Sequence, residues 1–370
     1  MFGRGVDVGC ALAILALVLV LGAGGAEGAR QTSFPCEVCL VEVDLVGHGE
    51  RILRRNPPSI SDISPDGSTL LYTKAGVGVF TSRLDGSGER RLVADADVVG
   101  ASFSPNGRQV AYVRADASAT SEACSGLAIR LVDTDGTGDH LFQPCASRPL
   151  WSPDSQSLLF ASATPAELGQ WWIARLDGGG RHPVGRWEAR SGYEPRSPRW
   201  SPRGDTLVYE TFARPTPPKG HGVFTGGPMR GPATEIDIVR ADGTRIAVIP
   251  RAAAPSWSPD GRRLAFTRVV PLVSYFGDSA YSLWIAGPSG QDAHRVRRGY
   301  DLAVDWSPNG RLLVSAAEGD VYLLRPDGSG LRRVTNDPSG GQITGLWWIR
   351  DGSHLRFLWE CTQEFQPCGA

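Results

Sequence analysis

One turn keeps returning along this chain. Ile63-Ser64-Pro65-Asp66-Gly67 is followed by Phe103-Ser104-Pro105-Asn106-Gly107, Trp151-Ser152-Pro153-Asp154, Trp200-Ser201-Pro202-Arg203-Gly204, Trp257-Ser258-Pro259-Asp260-Gly261 and Trp306-Ser307-Pro308-Asn309-Gly310. A worn copy runs from Trp347 to Asp351-Gly352. Self-similarity at this period, carried by short apolar runs, confines the chain to an array of like units that bury their faces against one another.

Every unit follows the same plan. An apolar strand ends in Trp-Ser or Phe-Ser, and Pro-Asp-Gly or Pro-Asn-Gly then makes a tight hairpin, with proline presetting the first turn position and glycine taking the positive φ. A second strand follows, as in Leu70-Leu71-Tyr72, Val110-Ala111-Tyr112 and Leu264-Ala265-Phe266. A third, such as Ile129-Arg130-Leu131-Val132, ends in a second turn at Asp85-Gly86, Asp135-Gly136, Asp177-Gly178, Asp242-Gly243 or Asp327-Gly328. A fourth closes the unit, as in Arg332-Arg333-Val334-Thr335. Four short antiparallel strands per repeat predict an all-β β-propeller; the first strands count to seven blades, with six as the alternative. The chain opens on strands three and four, from Val38 to Arg54, and finishes on strands one and two, from Gly345 to Trp359. The two ends are therefore expected to share one blade and close the ring, which removes the free edge of a linear array.

A length of 370 residues would by itself suggest two or three domains, but a closed ring absorbs most of it. Lys+Arg of 38 against Asp+Glu of 39 leaves a net charge of -1, so no domain-wide basic field is present to hold nucleic acid. Arg4, an apolar run from Ala11 to Leu21 and small residues through Ala29 read as a secretory signal over residues 1–29; an uncleaved anchor is the alternative. Cleavage would remove Cys10 and leave six of the 7 cysteines. An even number in an exported chain suggests bridges. The expected pairs are Cys124–Cys145, Cys39–Cys361 and Cys36–Cys368, with exchange allowed among the last four, so that residues 362–370 would form a tethered tail. The Cys36-Glu37-Val38-Cys39 pattern has no second such pair to complete a zinc site.

The Ser-Pro-Asp-Gly series in register with Asp-Gly turns resembles the TolB-like propeller repeats, also called WD40-like or PD repeats, over roughly residues 36–361. TolB carries a further N-terminal domain, to which no part of the resemblance extends. Related repeats form the propeller of prolyl-oligopeptidase-type peptidases, where a hydrolase domain follows; no Gly-x-Ser-x-Gly elbow is found here. The resemblance implies an architecture, and a reaction does not follow from it.

In such a ring the first-to-second and third-to-fourth turns lie on one face. The other two connections lie on the opposite face, where the long insertions fall: residues 115–126, 161–170, 213–234 and 269–279. Binding residues concentrate on loops carried by a rigid scaffold. The candidates are Arg186, Trp187, Arg190 and Tyr193, then His221, Phe224, Met229 and Arg230, then Tyr275, Phe276 and Tyr281, since aromatic and arginine side chains commonly anchor interfaces. Trp151, Trp200, Trp257 and Trp306 are assigned to packing between blades. Arg90-Arg91, Arg297-Arg298 and Arg332-Arg333 are assigned to protecting the outer edge. Asp133-x-Asp135-Gly136 mimics part of a calcium loop but lacks the closing Glu. Some lyase relatives hold a metal with histidines in the central pocket; here His140, His182 and His294 fall on outer strands and His48 in an outer turn, while His221 and His354 are scattered. No metal, cofactor or catalytic group is therefore expected. The resulting expectation is a secreted or periplasmic, monomeric, non-enzymatic scaffold that binds a protein or cell-envelope component. The alternatives are a lyase or hydrolase working at the channel mouth and a sensor ectodomain held by its N-terminus.

Overall fold

The computed structural model describes residues 38–45, 50–121, 124–164, 166–167, 170–185, 196–212, 234–271, 279–299, 303–317, 320–335, 342–349 and 351–360. The chain divides into Met1–Gln31 and Thr32–Ala370, and all described residues belong to the second unit.

That unit is built from β-strands. β1 (Val38–Asp44) and β2 (Glu50–Arg55) come first. Blade 1 comprises β3 (Ile60–Ile63), β4 (Thr69–Lys74), β5 (Gly78–Arg83) and β6 (Arg90–Val93). Blade 2 comprises β7 (Val98–Phe103), β8 (Gln109–Ser121), β9 (Cys124–Asp133) and β10 (His140–Pro144). Blade 3 comprises β11 (Ala146–Trp151), β12 (Ser157–Ser162), β13 (Trp171–Arg175) and β14 (Arg181–Val184). Blade 4 comprises β15 (Arg196–Trp200), β16 (Thr206–Phe212), β17 (Thr234–Arg240) and β18 (Arg245–Pro250). Blade 5 comprises β19 (Ala252–Trp257), β20 (Leu264–Pro271), β21 (Ser279–Ala286) and β22 (His294–Gly299). Blade 6 comprises β23 (Ala303–Trp306), β24 (Leu313–Ala317), β25 (Asp320–Leu324) and β26 (Arg332–Arg333). β27 (Gln342–Trp348) and β28 (His354–Glu360) end the series.

Six sheets are simple meanders. The seventh has the order β2-β1-β28-β27, which confirms the shared blade and fixes the number of blades at seven. β1 pairs with β28 over its whole length, from Val38↔Glu360 to Asp44↔His354. Seven hydrophobic clusters sit one at each blade-to-blade boundary. Two of them flank the shared blade: Cys39, Val41 and Val43 pack on Val321 and Leu323 of blade 6, and Leu40 packs on Ile63, Leu70 and Tyr72 of blade 1. Alternate residues of β1 thus serve opposite neighbours. This explains why the middle strands read as unbroken apolar runs: both of their faces are buried. Each fully buried aliphatic or aromatic side chain contributes about 1.5–3 kcal/mol.

The recurring turn has a side-chain logic. In blade 1 the Ser64 hydroxyl donates to Asp66 Oδ1 at 2.6 Å and accepts from the Thr69 amide at 2.8 Å, while Asp66 Oδ1 accepts from the Ser68 amide at 3.0 Å. Ser104, Ser152, Ser258 and Ser307 repeat the scheme. In blade 4, where Arg203 occupies the acid's position, Ser201 donates instead to Asp205 at 2.7 Å. In blade 3 the place of glycine is taken by Ser155, at φ 59°. The tryptophans pack as expected. Trp151, Trp257 and Trp306 are buried, each against the blade before it. The Trp151 and Trp306 indoles donate to the carbonyls of Ser102 and Ser256 in those blades.

Candidate functional site

The disulfide Cys124–Cys145 shows which connections share a face. Cys124 opens β9, after the second-to-third hairpin of blade 2, and Cys145 stands at φ 51° where the chain passes from β10 into β11. A second-to-third connection and a fourth-to-first connection are therefore covalently joined. Cys39 is also disulfide-bonded; Cys36, Cys361 and Cys368 lie outside the described residues.

The roots of the insertions on this face are regular structure. β8 runs for 13 residues, and Thr120↔Ser125 and Ser121↔Cys124 continue its pairing with β9 beyond an irregularity after Ala115. Much of the stretch 115–126, expected as a loop, is thus a β-ribbon at this end of blade 2. β20 and β21 extend likewise to Pro271↔Ser279. Polar contacts pin these roots to the ring. Arg114 meets Asp95 of the preceding connection at 3.0 Å. The Gln170 amide donates to the Val184 carbonyl at 3.0 Å, tying the second-to-third connection of blade 3 to its outer strand. Asp95, Arg114 and Gln170 were not singled out from sequence, because each finds its partner well away along the chain and no local pattern marks it.

The predicted binding residues Arg186, Trp187, Arg190, Tyr193, His221, Phe224, Met229, Arg230, Tyr275 and Phe276 lie outside the described residues. The backbone of Tyr281 is described: it sits on β21 between Val269 and Gly299, at the same end of blade 5.

The opposite face has two clefts beside blade 1. One of about 550 Å³ is bordered by Phe103, Asn106 and Thr134, the other of about 650 Å³ by Arg51, Leu84 and Arg356; Asp66 and Thr69 border both. Asp66 is turned onto its own Ser64 and Ser68, which hold its carboxyl below the ordinary range.

Nearer the axis, burial pushes the Asp62 carboxyl up to about 6. Its oxygens accept from the amides of Ile63 at 2.8 Å and Phe103 at 2.9 Å, and from the Trp347 side chain. Asp62 therefore clasps the shared blade to blades 1 and 2. With its oxygens engaged in this way, the arrangement is that of a strut.

Three of the described histidines stand apart from one another. His140, His182 and His294 stand on outermost strands, with ring nitrogens against the carbonyls of Gly138, Ala241 and Asp292. Among the described residues no three His, Cys, Asp or Glu side chains converge.

No protein-family profile matches the chain. Over 95 residues it is 37% identical to the Tol-Pal system protein TolB of Gluconobacter oxydans (strain 621H); the match covers 24% of this chain and 21% of that protein. The chain is a seven-bladed β-propeller with a stretch similar to TolB, and it spans about a fifth of that relative's length in the match. Solved structures of similar fold include an oligogalacturonate lyase in complex with manganese, at a TM-score of 0.55 and 14% identity over 90% of this chain and 89% of that one. The β-propeller domain of the Trilobed protease from Pyrococcus furiosus superposes at 0.51 with 16% identity, over 78% and 88%. At these identities the two share the fold with this chain and nothing about chemistry follows.

Proposed function

We propose that this TolB-like propeller is an exported, non-enzymatic scaffold that binds a protein or cell-envelope component through the face bearing the second-to-third and fourth-to-first connections. One observation carries the reading. The elongated hairpins β8–β9 and β20–β21 and the Cys124–Cys145 bridge all belong to this face. The opposite ends of the blades are short turns satisfied by their own Ser and Asp side chains. A rigid ring with recognition elements on one side is the arrangement expected of a binder. The relative's name, a protein of the Tol-Pal system, favours a protein partner over a small substrate. The N-terminal apolar segment supports export, and an oxidised cysteine pair agrees with it.

The test is affinity capture from a cell-envelope extract with the mature chain and with a variant lacking residues 214–232. Partners retained by the first and lost by the second support the face assignment. Recovery of the same partners with both overturns it.

A further inference from the structure

Three blades carry a cation at one equivalent position. Leu70, Val110 and Leu264 pair with the inner-strand residues Ile63, Phe103 and Trp257. Four residues beyond them stand Lys74, Arg114 and Arg268. Lys74 meets Glu89 at 2.7 Å, and Arg114 meets Asp95 at 3.0 Å. Arg268 meets no carboxylate among the described residues. Its guanidinium lies 4.5 Å from the centre of the Trp284 ring and 5.5 Å from that of Phe266, and its Nε is buried with no acceptor. Burial lowers its pKa with no acid to offset the effect.

Two more donors stand in the same row. Arg268 is directly opposite Ser282, and Ser282 is directly opposite Arg298. Residues so paired share one face of a sheet. The Ser282 hydroxyl is 3% exposed and accepts the Trp284 indole N–H at 2.8 Å, which leaves its own hydrogen for an acceptor. Arg298 is exposed, and no described acid stands against it. Phe266 and Trp284 pack on Val208, Ile236 and Ile238, so this face looks toward blade 4. On the blade 4 side Thr234 Oγ1 is buried and unpartnered. Glu210, an acid on that side, has Oε1 engaged by the Ala254 amide at 2.7 Å. Arg268, Ser282 and Arg298 themselves therefore present donors, with Glu210 an acid on the facing side and half engaged, and a group that completes their row must be rich in acceptors.

We propose that Arg268, Ser282 and Arg298 form a notch for an oxyanion, the carboxylate or phosphate of a ligand held at the insertion-bearing face. The ligand's part in this rests on the binding role proposed above; the notch itself does not. A guanidinium backed by an aromatic ring presents its planar donor edge to such an anion in bidentate fashion.

The experiment follows the Nε–H resonance of Arg268 in the mature chain labelled with 15N-arginine, assigned by its disappearance in Arg268→Lys. Sodium acetate and sodium phosphate are titrated against sodium chloride at matched ionic strength. The expected result is a saturable shift with acetate, phosphate or both, the two arms telling which oxyanion fits, and none with chloride. Arg298→Gln, at an exposed site, should weaken that binding about tenfold without unfolding the chain. Absence of a saturable shift, an equal shift with chloride, or unchanged affinity in Arg298→Gln overturns the notch. The two proposals fail separately. An unresponsive Arg268 alongside partners lost on deleting 214–232 removes the notch alone; a responsive Arg268 with all partners retained removes the face assignment alone.

Discussion

In the inner turn of blade 5 the buried Ser258 hydroxyl donates to Asp260 at 2.7 Å and accepts from the Arg263 amide at 2.8 Å. Ser258→Ala leaves that amide without an acceptor. A buried donor so orphaned costs about 1–3 kcal/mol, which urea unfolding monitored by tryptophan fluorescence would register as a lower midpoint with an unchanged slope. Asp62 poses a different question, of pH. Its folded pKa of about 6 exceeds that of an unfolded aspartate, about 3.9. The protonated carboxyl therefore favours the fold. Its stabilisation is complete below about pH 4 and is lost as the pH rises through about 6. Asp62→Asn should remove this contribution, so the difference in stability between variant and wild type should change across that window; a constant difference would contradict the assignment. Neither the Asp62 clasp nor the Arg268 row was legible in the sequence. Phe103 is 41 residues from Asp62, and the chain offers no local sign that the two meet. The Ser–Asp turn was legible because donor and acceptor stand two residues apart.

At the scale of the element, the second-to-third hairpins of blades 2 and 5 depart most from expectation. Residues 115–121 read Ala-Asp-Ala-Ser-Ala-Thr-Ser, where the apolar positions are filled only by alanine, a residue depleted in strands. β8 resumes its pairing with β9 at Thr120 and Ser121 beyond the irregularity, and the Cys124–Cys145 bridge ties the ribbon to the ring beside its turn. The bridge closes a span of 21 residues. On the chain-entropy model its removal should cost about 3 kcal/mol. Cys124→Ala/Cys145→Ala would show the loss in denaturant unfolding, and a variant as stable as the wild type would show that the bridge does not constrain the unfolded chain. The strand count and the Asp-Gly turns were readable because each is local. In blade 5 the second turn lacks Asp-Gly, and Gln291 Oε1 accepts from the Ser289 amide at 2.9 Å in its stead.

At the scale of the whole molecule, stability depends on the shared blade. Glu42 of β1 and Arg356 of β28 are directly opposite and buried, with Arg356 Nε donating to Glu42 Oε2 at 2.8 Å. Arg51 also donates to Glu42 at 2.8 Å, and Arg356 reaches the Gly67 carbonyl of blade 1. Burial alone would raise the Glu42 carboxyl, but the two arginines outweigh it and hold it below its ordinary range. That contribution is present at neutral pH and is lost as the pH falls through the folded pKa. Glu42→Ala strands a buried guanidinium and should cost about 3–5 kcal/mol, whereas Glu42→Leu/Arg356→Leu should recover much of the loss. A double variant no better than the single would show that the ion pair itself, and not the stranded charge, sets the stability. That the ring closes on itself could be inferred from the leftover strands at either end of the chain; that a charge pair locks the seam could not, since its partners are 314 residues apart.

The seam also dictates an order of assembly. The partner of β1 is β28, whose last residue is Glu360, so the first strands to be made must wait, with Leu40 and Val41 uncovered, until the strand more than 300 residues later has been made. Contacts of such long separation form slowly, and a chain interrupted before β28 is made would expose an adhesive edge to its neighbours.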